Sequence, residues 1–318
     1  MAARRFPARD QNLAATGEDG ERGDVSKARL FGAFFLIYVV WGSNFLAIRY
    51  AVETIPPFLL MGVRSLLAGV CLFAWARLRR APPPTLHEWR AAAAAGVLLF
   101  LGCHGLLAWA QRRVPSGVAA LALATIPLWM TLLDWLWARG RRPRSPVWIG
   151  LTLGLLGLGV LVGPGRGKGS VDAIGLMALL VSAFAWAAGS ILGRKSRLPS
   201  SVVLSTGMQL IAGGLALLLV STVLREMTGF DPAGVPARSI LGFAYMVGAS
   251  SILAFTAYVW LLRVSTPSRV ASYAFVNPLV AVFVGWAFGG EAVTARTAFA
   301  ALLIVAGVAA IVVKFRRA

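Results

Sequence analysis

An all-α chain that crosses a membrane ten times, as two inverted copies of a five-helix unit, is what this sequence predicts. Three observations carry that expectation. Of the 318 residues, 58% are hydrophobic and the mean hydropathy is +0.76, whereas soluble domains are roughly 45–50% apolar. The apolar residues gather into ten runs, most of them long enough to cross a ~30 Å hydrocarbon core at 1.5 Å per residue. Tryptophan, arginine and glycine positions also recur at a fixed offset between the two halves.

Residues 1–29 mix Arg, Asp, Glu and Gly with few large apolar groups, so a disordered cytoplasmic tail is expected there. The apolar runs lie near 30–52, 56–76, 91–110, 117–137, 147–163, 172–193, 202–224, 240–262, 269–289 and 296–314. The first begins too late and runs too long for a cleaved signal peptide, so it is read as a retained span. The fifth is short and must stand nearly perpendicular or gain a turn. No long polar segment separates the runs, which leaves no room for a separate soluble domain.

Orientation follows from Lys and Arg. The N-terminal tail, the loops after the second, fourth, sixth and eighth runs, and the C-terminus hold 22 of the 31 basic residues. The opposite loops hold 7, and Arg49 and Arg64 complete the total. The positive-inside rule therefore puts both termini in the cytoplasm of a multi-pass cytoplasmic (inner) membrane protein. The net charge of +19 is largely this topology signal; the basic residues alternate between loops and form no single face for nucleic acid. Cys71 and Cys103 lie in apolar runs, and His87 and His104 are the only histidines. That set supplies neither a disulfide framework nor metal-ligand spacing, so no metal and no cofactor is expected.

The repeat is visible at an offset of 145, which carries Trp41 and Arg49 onto Trp186 and Arg194, Gly62-x-Arg64 onto Gly207-x-Gln209, and Ala68-Gly69 onto Gly213-Gly214. Val118-Ala119-Ala120 before Pro127 matches Val270-Ala271-Ser272 before Pro278 with small gaps. The units are 30–163 and 172–314. Five spans per unit is an odd number, so the second copy enters from the other face, a plan on which secondary transporters place a midplane site between halves.

Several of these residues also form an ordered set: Trp41-Gly42-Ser43-Asn44-Phe45, Pro56-Pro57 before Arg64, Ser182-x-x-x-Trp186, the Pro127 helix, Asn277-Pro278, and Gly290-Glu291 before the last span. Over Leu30 to Lys314 the chain resembles the EamA type of the drug/metabolite transporter superfamily. The resemblance implies ten helices in two inverted repeats and movement of small metabolites or drugs, often outward. It also implies an acidic residue after the fourth helix. Here that region reads Arg139-Gly140-Arg141-Arg142, while Glu291 occupies the matching place in the second half.

Polar residues inside spans mark sites by default. Arg64 lies about two turns into its helix, and its guanidinium suits a carboxylate or phosphate; the plainer reading is a structural arginine bonded to carbonyls. Gln209 is its uncharged counterpart. Asn44, one turn from Trp41, either meets solute or ties helices together. Trp41, Trp186, Tyr258 and Tyr273 form a candidate aromatic lining, each with packing as the alternative, and Asn277 shares the face of Tyr273. Trp129, Trp135, Trp137 and Trp148 read as interfacial belt residues.

For coupling or gating the candidates are His104, the one histidine within a span, Asp134, placed beside Arg139, and the helix-softening Pro127 and Pro278. Gly150, Gly154 and Gly157 call for close packing, either with the tenth span or in a homodimer. A secondary transporter, an exporter of a small metabolite or drug-like solute across the lipid bilayer by alternating access, is the leading expectation. An intramembrane lipid-modifying enzyme needs paired carboxylates, a metal or an activated nucleophile, and the spans show no such set. A membrane scaffold leaves Arg64 without a purpose.

Overall fold

The computed structural model describes residues 26–137, 145–162, 172–264 and 273–314. Within them lie ten helices: α1 Lys27–Val52, α2 Pro57–Leu78, α3 Leu86–Ala110, α4 Ser116–Leu136, α5 Ser145–Val162, α6 Ala173–Lys195, α7 Val202–Val223, α8 over residues 237–264, α9 Tyr273–Gly289 and α10 Ala295–Lys314. No strand occurs among the described residues. Seven of the helices are long and apolar enough to cross a membrane. Large apolar side chains such as Phe31, Leu78, Leu241 and Phe288 face outward, as they do against lipid. The chain is a polytopic all-α membrane protein.

Local chemistry sets the helix starts. Pro57 opens α2, where its missing N–H costs nothing. Thr85 and Glu88 close a capping box on α3, the Asp172 carboxylate accepts from Gly175 N on α6, and Ser201 accepts from Leu204 N on α7. One boundary differs from expectation. Lys27, Ala28 and Arg29, assigned to the tail, are the first turn of α1, because all three are good helix formers continuous with the apolar run. The remainder of the expected tail, and the basic loop at Arg139–Arg144, lie outside the described residues.

Packing displays the repeat. α1 packs on α8 and α9, and its counterpart α6 packs on α3 and α4; α3 against α7 is matched by α8 against α2. The pairs α2–α7, α4–α9 and α5–α10 map onto themselves. Along the α2–α7 seam, Gly62 faces Leu218, Gly69 faces Ile211 and Gly207 faces Phe73. Residue numbers rise on one helix as they fall on the other, so the two helices are antiparallel. Exchange of the repeats carries α2 onto α7, and the second repeat is therefore inverted. Small residues make the close approach feasible: a Cβ on Gly69 or Gly207 would lie 2.8 Å from a backbone nitrogen of the other helix. The α5 glycines serve the tenth span in the same way, with Gly157 against Ala300 and Ile304, and Gly307 against Gly150.

Two departures from regular helix fall in matching places. Val97–Gly105 in α3 and Met246–Ala254 in α8 are π-helical, a wider winding that is often found at functional sites. α4 breaks at Ala124–Thr125 just before Pro127, whereas α9 runs through Pro278 without interruption.

Candidate functional site

A cavity of about 600 Å³ lies between the repeats, walled by α1–α4 and α6–α9. Both π-helical stretches face it: Phe100, Cys103 and His104 from α3, and Ser250 and Ser251 from α8. An i→i+5 winding brings an extra residue into each turn, which lets these short segments present several side chains to one space. Most of the remaining wall is apolar or aromatic.

Arg64 sits in that wall with 5% of its surface exposed. Its Nε donates to Ser251 Oγ at 3.1 Å and Nη2 to Ser250 Oγ at 3.4 Å, while Nη1 lies 3.5 Å from Met61 Sδ. None of these partners is a carboxylate. Among the described lining residues Arg64 is the one permanently charged group. Asn44 is also in the lining, and its Oδ1 is buried without a hydrogen-bond donor among the described residues. Asn277 is buried in the lining beside α1, its amide nitrogen placed to donate to the Tyr273 and Tyr38 carbonyls at 3.3 Å each. It ties α9 to α1 while touching the cavity.

Two aromatic clusters flank the space. Trp41 packs on Tyr258 (5.1 Å between rings) and edge-on to Tyr273 (5.2 Å), and its indole N–H donates to the Ser250 carbonyl at 3.3 Å. On the other side, His104 lies between Phe100 (5.2 Å) and Trp186 (5.4 Å). Trp41 and Trp186, counterparts in the repeat, thus belong to separate aromatic clusters in the lining. Pro127 and Pro278 line the cavity as well.

Three of the residues singled out from sequence stand elsewhere. Tyr258 is one ring behind the lining, held against Trp41 and Tyr273. Gln209 is half-buried, donates to Ser205 on its own helix at 3.1 Å and is not in the lining; α3 meets its backbone at Gly96. Asp134 lies outside the lining and pairs with Arg194 of the second repeat. Trp129 packs edge-on to Phe184 of α6 at 5.6 Å, with its indole nitrogen buried. The Asp134–Arg194 side chains are 41% and 60% exposed. Asp134→Asn is therefore expected to shift unfolding by less than about 1 kcal/mol, measured by thermal unfolding in detergent.

Glu291 has a clearer structural role than its sequence position indicated. Its carboxylate accepts from Ser116 N at 2.6 Å and Gly117 N at 3.1 Å, at the start of α4, and lies 3.7 Å from Arg49 Nε. Arg49 in turn donates to the Val114 carbonyl at 2.8 Å. At the same end of the bundle Glu226 accepts from Phe58 N and Leu59 N at the start of α2, and Tyr50 donates to the Phe288 carbonyl. Each carboxylate meets amides that have no partner within their helix and lies at the positive end of the helix dipole. The 145-residue offset carries Arg49 onto Arg194, and each of these arginines, near the end of its repeat's first helix, pairs with a carboxylate of the other repeat, Glu291 and Asp134 respectively. Glu291→Ala removes three charge-assisted contacts and should cost about 2 kcal/mol, seen as a lower unfolding temperature in detergent.

The model of the EamA-like transporter family matches residues 30–163 and, a second time, 173–313. The chain belongs to that family. The EamA chain is 35% identical over 263 residues to YedA, an uncharacterized inner membrane transporter of Escherichia coli (strain K12), covering 82% of this chain and 83% of that one. It is 26% identical over 286 residues to a probable amino-acid metabolite efflux pump of Salmonella typhimurium (88% and 94% covered). It is also 26% identical over 284 residues to YvbV, an uncharacterized transporter of Bacillus subtilis (89% and 92% covered). A crystal structure aligns over 91% of this EamA chain and 99% of its own, with a TM-score of 0.61 and 22% identity, a likeness of fold.

Proposed function

We propose that this EamA chain is a secondary transporter that exports a small solute across the inner membrane by alternating access, with both termini in the cytoplasm. One observation carries the reading: a cavity of about 600 Å³ lies at the junction of two inverted repeats and holds, among the described lining residues, one buried cation, Arg64. Cavities of this size suit small molecules, and a buried charge in a membrane interior is costly unless it serves solute or a partner. The relatives named as inner membrane transporter and efflux pump support both the location and the outward direction, and the 22-to-7 distribution of basic residues supports the orientation. The two five-helix units, 30–163 and 172–314, are the bodies that move against one another.

In this reading Arg64, Asn44, Trp41, Trp186, Tyr273 and Asn277 contact the solute, and Tyr258 backs them. His104 lines the path as part of its aromatic wall. Arg49–Glu291 and Arg194–Asp134 are ties between repeats at opposite ends of the bundle, released in turn as access alternates. The helix break before Pro127 gives α4 a hinge beside the cavity. The enzyme alternative draws no support from the site, since among the described residues no cluster of His, Cys, Asp or Glu is placed to hold a metal and no carboxylate lines the cavity.

The test is an untargeted comparison of metabolites retained by cells with and without the protein, followed by flux of the best candidate in liposomes. A solute retained in the deletion strain and moved by the purified protein is the expected outcome. Equal metabolite profiles together with hydrolysis of a lipid by the purified protein would replace transport with the enzyme reading.

A further inference from the structure

The charge balance of the cavity points to a solute class and to a driving force. Arg64 is buried, its guanidinium rests on two serine hydroxyls and a thioether, and no carboxylate is within ion-pair distance of it among the described residues. A cavity of this kind holds net charge +1 when empty. A cation would raise that to +2, a zwitterion would leave it at +1, and a dianion would overshoot to −1. Only a solute of net charge −1 leaves the closed site neutral, and buried uncompensated charge is what such an interior tolerates least. The buried Asn44 Oδ1, lacking a donor, has room for one O–H or N–H of the solute, and Trp41 and Trp186 offer apolar faces for its body.

We propose that the transported solute is a small organic monoanion, a carboxylate with an apolar or aromatic body and one hydrogen-bond donor, and that its export is driven by membrane potential alone. This rests on the transport reading above. The loaded site crosses as a neutral unit, and the empty site returns carrying the Arg64 charge. Each cycle therefore moves one negative charge outward, the direction that an interior-negative potential favours. At 100 mV that supports about a 50-fold concentration ratio with no coupling ion.

The experiment uses the full-length protein in liposomes, with potassium gradients and valinomycin to set the potential. Four radiolabelled probes share one ring and differ in charge: 3-phenyllactate (−1), phenylalanine (0), phenethylamine (+1) and phenylsuccinate (−2). Expected is phenyllactate efflux at least fivefold faster than that of the other three, rising with interior-negative potential. Arg64→Gln should lower it at least tenfold, while Arg64→Lys, which keeps the charge but loses the planar fork, should retain the voltage dependence at a reduced rate. If Arg64→Gln fails to insert, the voltage dependence of the unaltered protein decides. Preferred flux of phenylalanine or phenethylamine overturns the charge assignment and leaves transport standing. Phenyllactate flux indifferent to voltage overturns the driving force. Absence of flux for all four also overturns the assignment, and the metabolite comparison then judges the transport reading separately.

Discussion

Replacing Arg64 with alanine should reduce solute flux roughly a hundredfold while the protein stays folded in the membrane. Losing a guanidinium that meets an anion in a desolvated site costs about 3 kcal/mol of binding, which is two orders of magnitude. The fold should survive because Arg64 leaves behind only the Met61 thioether and two serine hydroxyls, one of which, Ser251 Oγ, already donates to the Met246 carbonyl at 2.9 Å. No buried carboxylate is orphaned among the described residues. Flux in liposomes, beside size-exclusion profiles of both proteins, checks the two halves of the expectation. Undiminished flux would remove Arg64 from the site.

The largest effect on stability is expected from Gly96→Ala. A Cβ there would overlap the Gln209 carbonyl of α7, and a reciprocal Cβ on Gly213 would stand 2.6 Å from the Gly96 carbonyl. Two backbones meet at this crossing, and neither can swing aside as a flexible side chain would. Overpacking of this kind costs about 2–3 kcal/mol. Gly159→Ala on α5, where a Cβ meets nothing within 4 Å, is the matched control and should be neutral or slightly stabilising. Thermal unfolding of the three proteins in detergent gives the comparison; equal midpoints would mean that α3 and α7 separate freely at this level.

The bundle was legible in the sequence because membrane spans announce themselves by length and apolarity, and the repeat because Trp41/Trp186 and Gly62/Gly207 kept their spacing. The cavity was legible only in part. Arg64, Asn44 and the tryptophans stand out as polar or bulky groups among aliphatic ones, but Ser250 and Ser251, which hold the guanidinium, give no hydropathy signal. They are also brought into place by a π-helical winding that no 3.6-residue pattern reports. Gln209 illustrates the converse. Its spacing matches Arg64, yet its amide bonds Ser205 on its own helix and stays out of the cavity wall. Asp134 had Arg139 nearby in sequence, but its partner Arg194 comes from the other repeat, a pairing only the folded chain reveals. The helix start that Glu291 caps lies 175 residues away along the chain, and short-range pattern carries no trace of such a contact.

The glycine seam between α2 and α7 bears on how such a molecule can move. Two rods whose backbones touch cannot slide along one another without first lifting apart, whereas tilting about the line of contact disturbs little. That line would then serve as a fulcrum: a lever pivoting there must narrow the mouth on one side of the bilayer as it widens the mouth on the other. A single rigid joint would be enough to keep both mouths from standing open together.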